Sequence, residues 1–506
     1  MRTLLFVLLL SPSAIFCQTV RYEISPVFEE NNLSRLSVRV SLRGEADGTT
    51  EFALPNEFGP ASQLSDCIQN LTCPTEGCTL LNNRALHSAL LQHPPSANIE
   101  LRYEVVQDFE GSDVTKGNAF RPMIQPTFFH ILGSGLFVTP LFGDNSCAVT
   151  LEWKGFPQNW AIHNSFGSQQ LTQRFQYAKC RLLEAVYVGG DFRVSRTEVQ
   201  GRPVFLAIRG SDWSFSDEAL LDMLQKTVTA QRNFWEDWDI PYYTVTLMPL
   251  TQLRPVMFAG GQSQTTVEYL GTGLRNSFAA FVTPAPWIEV QNLQHLFHHE
   301  LMHNWIGNKI RSGGGVNDMQ FGWFSEGFTE YFAMKNMLAG GFISAEKYVE
   351  SLNKGFFARL YTSHVGEIPN SEITPNFFTD TAMEALPYKR GFVFAFYLDN
   401  AIEQATGGQH GLRDFMLDLL AYYSAPNRDL LTNFDFFEQK LTEYLQSEAG
   451  VLIQKHIHEG KRIAPEAFVL PKYWKMETDE HETPLLHLNT SETGWKKGIM
   501  GLGARD

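Results

Sequence analysis

The sequence of 506 residues lacks internal repeats, low-complexity segments and any apolar run long enough to cross a membrane. The apolar run from Leu4 to Leu10 is far shorter than the roughly 20 residues that a transmembrane helix needs. Basic residues are also scarce, because 40 Lys and Arg against 55 Asp and Glu give a net charge of -15. That charge repels phosphate backbones, so no nucleic acid partner is expected, and no feature indicates an oligomeric state.

Cysteine is absent from the sequence after Cys180. Five cysteines follow the N-terminal segment and all lie in the first 180 residues: Cys67, Cys73, Cys78, Cys147 and Cys180. The close spacing of the first three could suit zinc, but a fourth ligand and paired CxxC motifs are missing. We therefore expect two disulfides and one remaining thiol, all within an N-terminal domain.

The N-terminus has the order of features of a secretory signal. Arg2 precedes the apolar run, which is followed by Ser11-Pro12-Ser13 and a short segment ending at Cys17. Removal after Cys17 is favoured over lipidation of that residue, since the bulky Phe16 precedes it. Residues 1–17 are thus predicted to be a signal peptide, and the mature protein to be extracytoplasmic, either periplasmic or secreted.

The remaining chain is predicted to have an α+β fold in three parts followed by a tail. Alternating apolar and polar residues up to about Gly210 predict a mainly antiparallel β domain, and a helix, two strands and a further helix follow it. Beyond Trp323 the pattern is mostly helical. The predicted units are an N-terminal β domain (18–211), a catalytic domain with a mixed sheet and helices (212–345), a C-terminal helical subdomain (346–470) and a tail (471–506).

His299-Glu300-Leu301-Met302-His303 is an HExxH motif within the last of these helices, predicted over Val290 to Trp305. Side chains four residues apart lie on one helical face, so His299 and His303 can bind one metal ion. Glu300 projects about 100° away, where it can reach a metal-bound water. A catalytic zinc site needs a third protein ligand, and Glu326 is a candidate because a carboxylate is costly to bury among aromatic residues without a partner.

His299 to Asn308 followed by Trp323-Phe-Ser-Glu-Gly-Phe-Thr-Glu-Tyr331 resembles the gluzincin zinc metallopeptidases. Two families share this signature, the alanyl aminopeptidase and leukotriene hydrolase family and the glycyl aminopeptidase family. The first usually has eighteen residues between the second His and the Glu, whereas twenty-two intervene here, from Asn304 to Ser325. The resemblance implies a thermolysin-like fold for the catalytic domain.

The later segments are more similar to the glycyl aminopeptidase family. Pro387 to Asn400 resembles its Tyr-x-x-Gly helix, and Phe437 to Ile463 resembles its C-terminal helical segment. The resemblance covers roughly Ser216 to Ile463. The residues after Ile463 are too few for the PDZ domain that is common in that family.

The resemblance implies one Zn²⁺ per chain, held by His299, His303 and Glu326, and a peptide substrate. Glu300 is the implied general base for a zinc-activated water, and Tyr388 stands where these families place a phenol that stabilises the transition state. Glu330, one helical turn after Glu326, can support a ligand histidine by a hydrogen bond or can be a solvated charge. His295 and His298 are expected to be packing or surface histidines.

The sequence departs from these families where a Glu in a Gly-rich strand binds the amino group of the substrate. Gly260 and Gly261 match the glycines and are predicted to let a peptide approach the strand, or else to form a simple turn. Ser263 stands at the position of the Glu, and Glu268 lies about 16 Å further along a strand. The leading hypothesis is a zinc aminopeptidase. The alternatives are an endopeptidase of the same fold, a noncatalytic zinc-containing peptide-binding protein and, by family analogy alone, a hydrolase of a nonpeptide substrate such as an epoxide.

Overall fold

The structure is a computed structural model that describes residues 19–142, 146–178, 182–238, 240–251, 256–257, 263–264, 267–310, 319–377, 379–424, 434–492 and 494–500. The predicted signal peptide, Cys180, Gly260 and Gly261 lie outside these residues. None of the helices in the described ranges is both long enough and apolar enough to span a membrane.

The N-terminal part of the chain consists of strands in three sheets. Its strands are β1 Thr19–Glu29, β2 Asn32–Arg43, β3 Thr49–Ala53, β4 Ile68–Thr72, β5 Thr79–Asn83, β6 Ser88–Gln92, β7 Asn98–Val105, β8 Met123–Gln125, β9 Phe128–Leu132, β10 Thr139–Pro140, β11 Ser146–Trp153, β12 Ala161–Asn164, β13 Gly167–Ser168, β14 Thr172–Ala178 and β15 Val186–Gly190. The sheet orders are β14-β11-β1-β2-β7-β4, β10-β3-β6-β5 and β13-β12-β15-β9-β8. Only the β1–β11 pair of these sheets is parallel among the described strands, which confirms the mainly antiparallel prediction.

A fourth sheet carries the candidate site. Its surroundings comprise β16 Arg193–Val199, β17 Arg202–Ile208, α1 Asp217–Trp235, β18 Tyr243–Pro249, β19 Val256–Met257, β20 Ser263–Gln264, β21 Tyr269–Leu274 and β22 Ser277–Val282. The sheet order is β16-β17-β18-β22-β21, with β17, β18 and β22 parallel and β21 antiparallel to β22. Because β16 and β17 belong to this sheet, it extends across the domain boundary predicted after residue 211.

The rest of the described chain is mostly helical. The helices are α2 Val290–Met302, α3 Thr329–Ala339, α4 Ala345–Glu350, α5 Ala358–Tyr361, α6 Ile373–Asn376, α7 Thr381–Ala405, α8 Leu412–Ser424, α9 Phe434–Leu445, α10 Ala449–Ile453 and α11 Trp495–Met500, with π-helical segments Trp323–Phe328, Ser351–Phe357 and Gln454–His458. Shorter 3-10 segments are Leu64–Cys67, Arg84–Leu86, Gly133–Gly135, Met319–Phe321, Asn370–Glu372 and Pro465–Ala467. This arrangement confirms the predicted α+β fold class.

Helix α2 is fixed at its start and along one face. Glu289 and Asn292 exchange side-chain to backbone hydrogen bonds, which satisfies two of the free N–H groups at the helix N-terminus. Leu293, Phe297 and Leu301 are four residues apart and fully buried, so they anchor the helix to the sheet. The helix ends at Met302 and not at the predicted Trp305, because the chain turns there and the Asn304 N–H donates to Leu301.

The predicted tail contains the hairpin of β23 Trp474–Thr478 and β24 Pro484–Leu488. The Asn353 side chain exchanges two hydrogen bonds with the backbone of the buried Leu486, at 2.8 and 2.9 Å. These contacts attach the hairpin to the π-helical segment Ser351–Phe357. A pattern of five-residue strands between charged turns was too short to be recognised in the sequence.

The described cysteines do not confirm the predicted disulfides. Burial and the neighbouring Cys73 thiol raise the pKa of Cys78 to about 11. Cys67 is buried. No disulfide joins Cys67, Cys73 and Cys78 to one another in the structure, and Cys180 lies outside the described residues, so the two disulfides stay a prediction.

Candidate metal centre

The two motif histidines and Glu326 bring three donor atoms together. The Nε2 atoms of His299 and His303 are 3.1 Å apart, and Glu326 Oε2 lies 3.3 Å from His299 Nε2 and 3.5 Å from His303 Nε2. Two ligands bonded to tetrahedral zinc at about 2.0–2.1 Å are about 3.3–3.4 Å apart. The three residues therefore fit one zinc ion, and no other group of His, Cys, Asp and Glu in the described ranges forms such a cluster.

Glu326 reaches the histidines from a π-helical turn, Trp323–Phe328, that precedes α3. Helix α7 presses closely against this turn, since a Cβ on Gly391 would lie 1.9 Å from the Trp323 carbonyl oxygen and one on Gly327 would lie 2.3 Å from the Gly391 Cα. Only glycines permit this approach of two backbones. The close packing also brings Tyr388, one turn before Gly391, to the donor atoms.

Each ligand histidine has an oxygen atom behind its ring, and the one behind His303 accepts a hydrogen bond from it. The His303 Nδ1–H donates to the Ile306 carbonyl at 3.3 Å, which leaves Nε2 as the metal-binding atom. Glu330 Oε1 lies 3.8 Å from His299 Nδ1, and its Oε2 lies 2.8 Å from His295 Nε2. Burial raises the pKa of Glu330, but the neighbouring His295 and His299 outweigh it and hold that pKa well below its usual value.

Glu330 is thus buried beside a ligand histidine, and it is not a solvated charge. His295 contacts this carboxylate and does not join the donor cluster. His298 is fully buried against Phe342, with ring centroids 4.7 Å apart, as expected for a packing histidine.

Glu300 and Tyr388 complete the surroundings of the donor atoms. Glu300 is buried, and burial raises its pKa while His299 and His303 lower it. The Tyr388 ring stacks on His299 with centroids 5.9 Å apart. Burial raises the pKa of Tyr388 well above 10, so the phenol stays protonated and able to donate.

The strand that lies against the motif helix is β21, which the sequence reasoning did not single out. Gly271 and Gly273 share one face of β21 and point at α2: a Cβ on Gly271 would lie 2.3 Å from Glu300 Oε1, and one on Gly273 would lie 2.4 Å from His303 Cβ. Gly260 and Gly261, the predicted substrate glycines, lie outside the described residues. The alternate positions of Gly271 and Gly273 were the feature of the sequence that could have identified this strand.

Strand β21 is the last strand of its sheet among those described, and it has no acidic residue. Glu268, just before it, forms an ion pair with Lys116 at 3.3 Å. Strand β21 therefore has no carboxylate that could bind a substrate amino group, and the departure at Ser263, which lies on β20, stays a prediction.

Alanine substitutions at the two glycines are expected to have different effects. In Gly271→Ala the flexible Glu300 carboxylate moves aside, so peptide hydrolysis falls while zinc is retained. In Gly273→Ala the clash is with His303 Cβ, which is fixed to the helix backbone, so the free energy of unfolding falls by about 1–3 kcal/mol and zinc binding weakens. Thermal denaturation and metal analysis measure both effects.

Gly117→Ala is the control for these variants, because its Cβ would meet no atom closer than 3.7 Å. Equal zinc affinity in Gly273→Ala and the parent would show that β21 does not position His303.

Comparison with known proteins supports the gluzincin resemblance. Residues 277–447 match the model of the Peptidase family M1 domain. Leukotriene A-4 hydrolase of Xenopus laevis is 26% identical over 158 residues, which are 30% of this chain and 24% of that protein. Leucine aminopeptidase 2 of Aspergillus oryzae is 27% identical over 141 residues, or 26% of this chain and 21% of that protein. The chain thus spans about a quarter of the length of the curated relatives it matches.

Solved structures show the same fold over most of the chain. An aminopeptidase N family protein from Idiomarina loihiensis has a TM-score of 0.68 at 17% identity, covering 88% of this chain and 77% of that one. An M1 zinc metallopeptidase mutant from Deinococcus radiodurans, described as bound to a Tyr-Ser-Ala substrate, has a TM-score of 0.51 at 14% identity, covering 89% and 95%. The gluzincin resemblance is confirmed, and the family model that matches residues 277–447 is that of M1.

Proposed function

We propose that this chain, whose residues 277–447 match the M1 peptidase domain, is a zinc-dependent metallopeptidase and acts as an aminopeptidase. The observation that carries the proposal is the set of three donor atoms 3.1–3.5 Å apart, with Glu300 and Tyr388 beside them. Three protein ligands leave a fourth position free for water, as catalytic zinc sites require. The single cluster within the described residues supports one zinc ion per chain as part of the proposal.

The residues around the donor atoms supply the remaining steps of peptide hydrolysis. When bound, Zn²⁺ lowers the pKa of a coordinated water towards about 7 and polarises the substrate carbonyl. Glu300 takes a proton from the attacking water and transfers it to the nitrogen of the leaving amine as the C–N bond breaks. The Tyr388 hydroxyl donates a hydrogen bond to the carbonyl oxygen as negative charge develops on it.

Replacing Tyr388 with phenylalanine removes that donor and little else. We expect kcat to fall by about 10²- to 10³-fold with KM little changed, because the hydrogen bond forms only as charge develops. Steady-state kinetics on a fluorogenic peptide measures the effect. A rise in KM with kcat unchanged would show that Tyr388 binds substrate and does not stabilise the transition state.

Aminopeptidase activity is favoured by the relatives and neighbours, several of which are named as aminopeptidases. A second candidate, endopeptidase activity, is favoured by the absence of a carboxylate from β21. A protein that binds zinc and peptides without turnover is the third candidate, because it needs the same three ligands.

Paired peptides with free and acetylated N-termini separate these candidates. We expect the parent protein to cleave the free peptides, and the matched Glu300→Gln variant to cleave neither while retaining zinc. Cleavage of the acetylated peptides alone would replace aminopeptidase with endopeptidase activity. Zinc and peptide binding without any cleavage by the parent would favour the noncatalytic protein.

The location of the mature protein is part of the proposal. The signal-like residues 1–17 and the cysteines confined to the N-terminal part favour a periplasmic or secreted protein with two disulfides. N-terminal sequencing of the mature protein is expected to begin at Gln18. An intact Met1 in the mature protein would contradict this location.

A further inference from the structure

A cavity of about 530 Å³ lies next to the candidate metal centre. Its wall includes His295 and Glu330, and Glu330 is shared between the two sites: one carboxylate oxygen faces His299 at 3.8 Å and the other contacts His295 at 2.8 Å. The rings of His295 and His299 are 6.5 Å apart. The wall of the cavity also includes Lys389, the residue after Tyr388.

The cavity has more positive than negative charge on its wall. Lys347, Lys354, Arg359 and Lys389 line it, together with two carboxylates, Glu330 and Glu350. Glu350 is held by both Lys347 and Lys354 at 3.0 Å. With histidines neutral, four cations and two anions give the wall a charge of about +2, in a protein whose net charge is -15.

Two of these cations form no close ion pair with a described carboxylate. Within the described ranges, neither Arg359 nor Lys389 has a carboxylate oxygen within 4.0 Å. Lys389 is half-buried, with its Nζ 4.5 Å from the Phe356 ring centroid. Burial lowers the pKa of Lys389, the Glu330 carboxylate partly opposes this effect, and the nearby Arg359 lowers the pKa further. Two like charges facing one concave space are stabilised when an anion enters it.

We propose that this cavity, the basic pocket, binds a carboxylate of the substrate through Lys389 and Arg359. The inference rests on the proposed peptidase function and gives it a substrate class: peptides that carry a negative charge close to the scissile bond. Apolar side chains of Met334, Met337 and Ile343 form another part of the wall and can pack against the carbon atoms of the bound residue. The carboxylate can come from an acidic side chain or from the C-terminus of a short peptide.

Two pairs of peptides test the pocket and distinguish the sources of the carboxylate. One pair differs only in a free or amidated C-terminus, and the other has Glu or Gln after the scissile bond. We expect the parent kcat/KM to be about ten- to a hundredfold higher for the charged member of at least one pair, as for a charge-assisted hydrogen bond. The pair that shows the preference identifies the source.

The double variant Lys389→Gln/Arg359→Gln is expected to bring this preference to about one. Lys226→Gln on α1, which removes an exposed cation paired with Asp222, is the matched control and is expected to keep the preference. The ratio of kcat/KM between the charged and the uncharged peptide measures the contribution of the pocket, because a general loss of fold or of zinc lowers both values together.

Binding provides a readout that does not depend on turnover. Calorimetry with zinc-loaded Glu300→Gln protein is expected to show tighter binding of the charged peptide, and equal binding of both when Lys389 and Arg359 are also replaced. Equal values for both members of both pairs in the parent, or a preference that survives the double variant, would overturn the inference. A parent that binds charged peptides preferentially but cleaves none would contradict the peptidase function and leave the pocket assigned.

Discussion

Replacing Glu300 with glutamine is expected to lower kcat/KM for peptide hydrolysis by about 10²- to 10⁴-fold, the contribution typical of a positioned general base. The substituted amide keeps the size of the side chain but cannot take a proton from water. Glu300 is outside the donor cluster, so zinc content is expected to stay at one per chain. Steady-state kinetics and metal analysis of the same preparation measure both quantities.

Glu443→Gln is a suitable control, because that side chain is half-exposed on α9, far along the chain from the motif, and forms an ion pair with Lys440. It is expected to keep the parent activity. If Glu300→Gln retained the parent kcat/KM, another group would have to be the base. If it lost zinc as well, the loss of activity would say nothing about proton transfer.

Replacing His303 with alanine is expected to abolish stoichiometric zinc binding and hydrolysis together. Two ligands would remain of the three, and even the loss of a supporting group behind a ligand costs about 10- to 100-fold in metal affinity. We therefore expect affinity to fall by more than about 100-fold. Zinc titration by calorimetry measures it, and added zinc is expected to stabilise the parent thermally but not the variant.

His364→Ala serves as the control here, since His364 is exposed and contacts only Asp380 at 3.0 Å among the described groups. Both zinc binding and activity are expected to survive in that variant. Undiminished zinc affinity in His303→Ala would mean that the ion is bound elsewhere, for example at the N-terminal cysteines.

The metal centre was largely predictable because its geometry is local. The spacing of His299 and His303 fixes their relative positions within one helix, and the apolar residues of α2 indicate its buried face. Glu326 was predictable as the third ligand because a carboxylate is costly to bury among aromatic residues without a partner. The resemblance to the gluzincins implied the same role. The π-helical turn that carries it was not predictable, because it depends on the contact between Gly327 and Gly391.

Features that depend on contacts between distant segments could not be read from the sequence. The basic pocket joins His295, Glu330, Arg359 and Lys389, which come from four separate stretches of the chain. Strand β21 was not predicted because the glycine match in the sequence pointed to Gly260 and Gly261, whereas the structure places Gly271 and Gly273 against α2. The alternation of β16 and β17 identifies strands but does not show which sheet they join.

The most direct test of the account is a zinc titration of metal-free protein, followed by the rate of peptide hydrolysis. We predict no hydrolysis without metal, a linear rise in rate up to one zinc per chain and a plateau beyond it. Hydrolysis that persists in the metal-free protein, or a rate that stays at zero when His299, His303 and Glu326 are saturated with zinc, would contradict it.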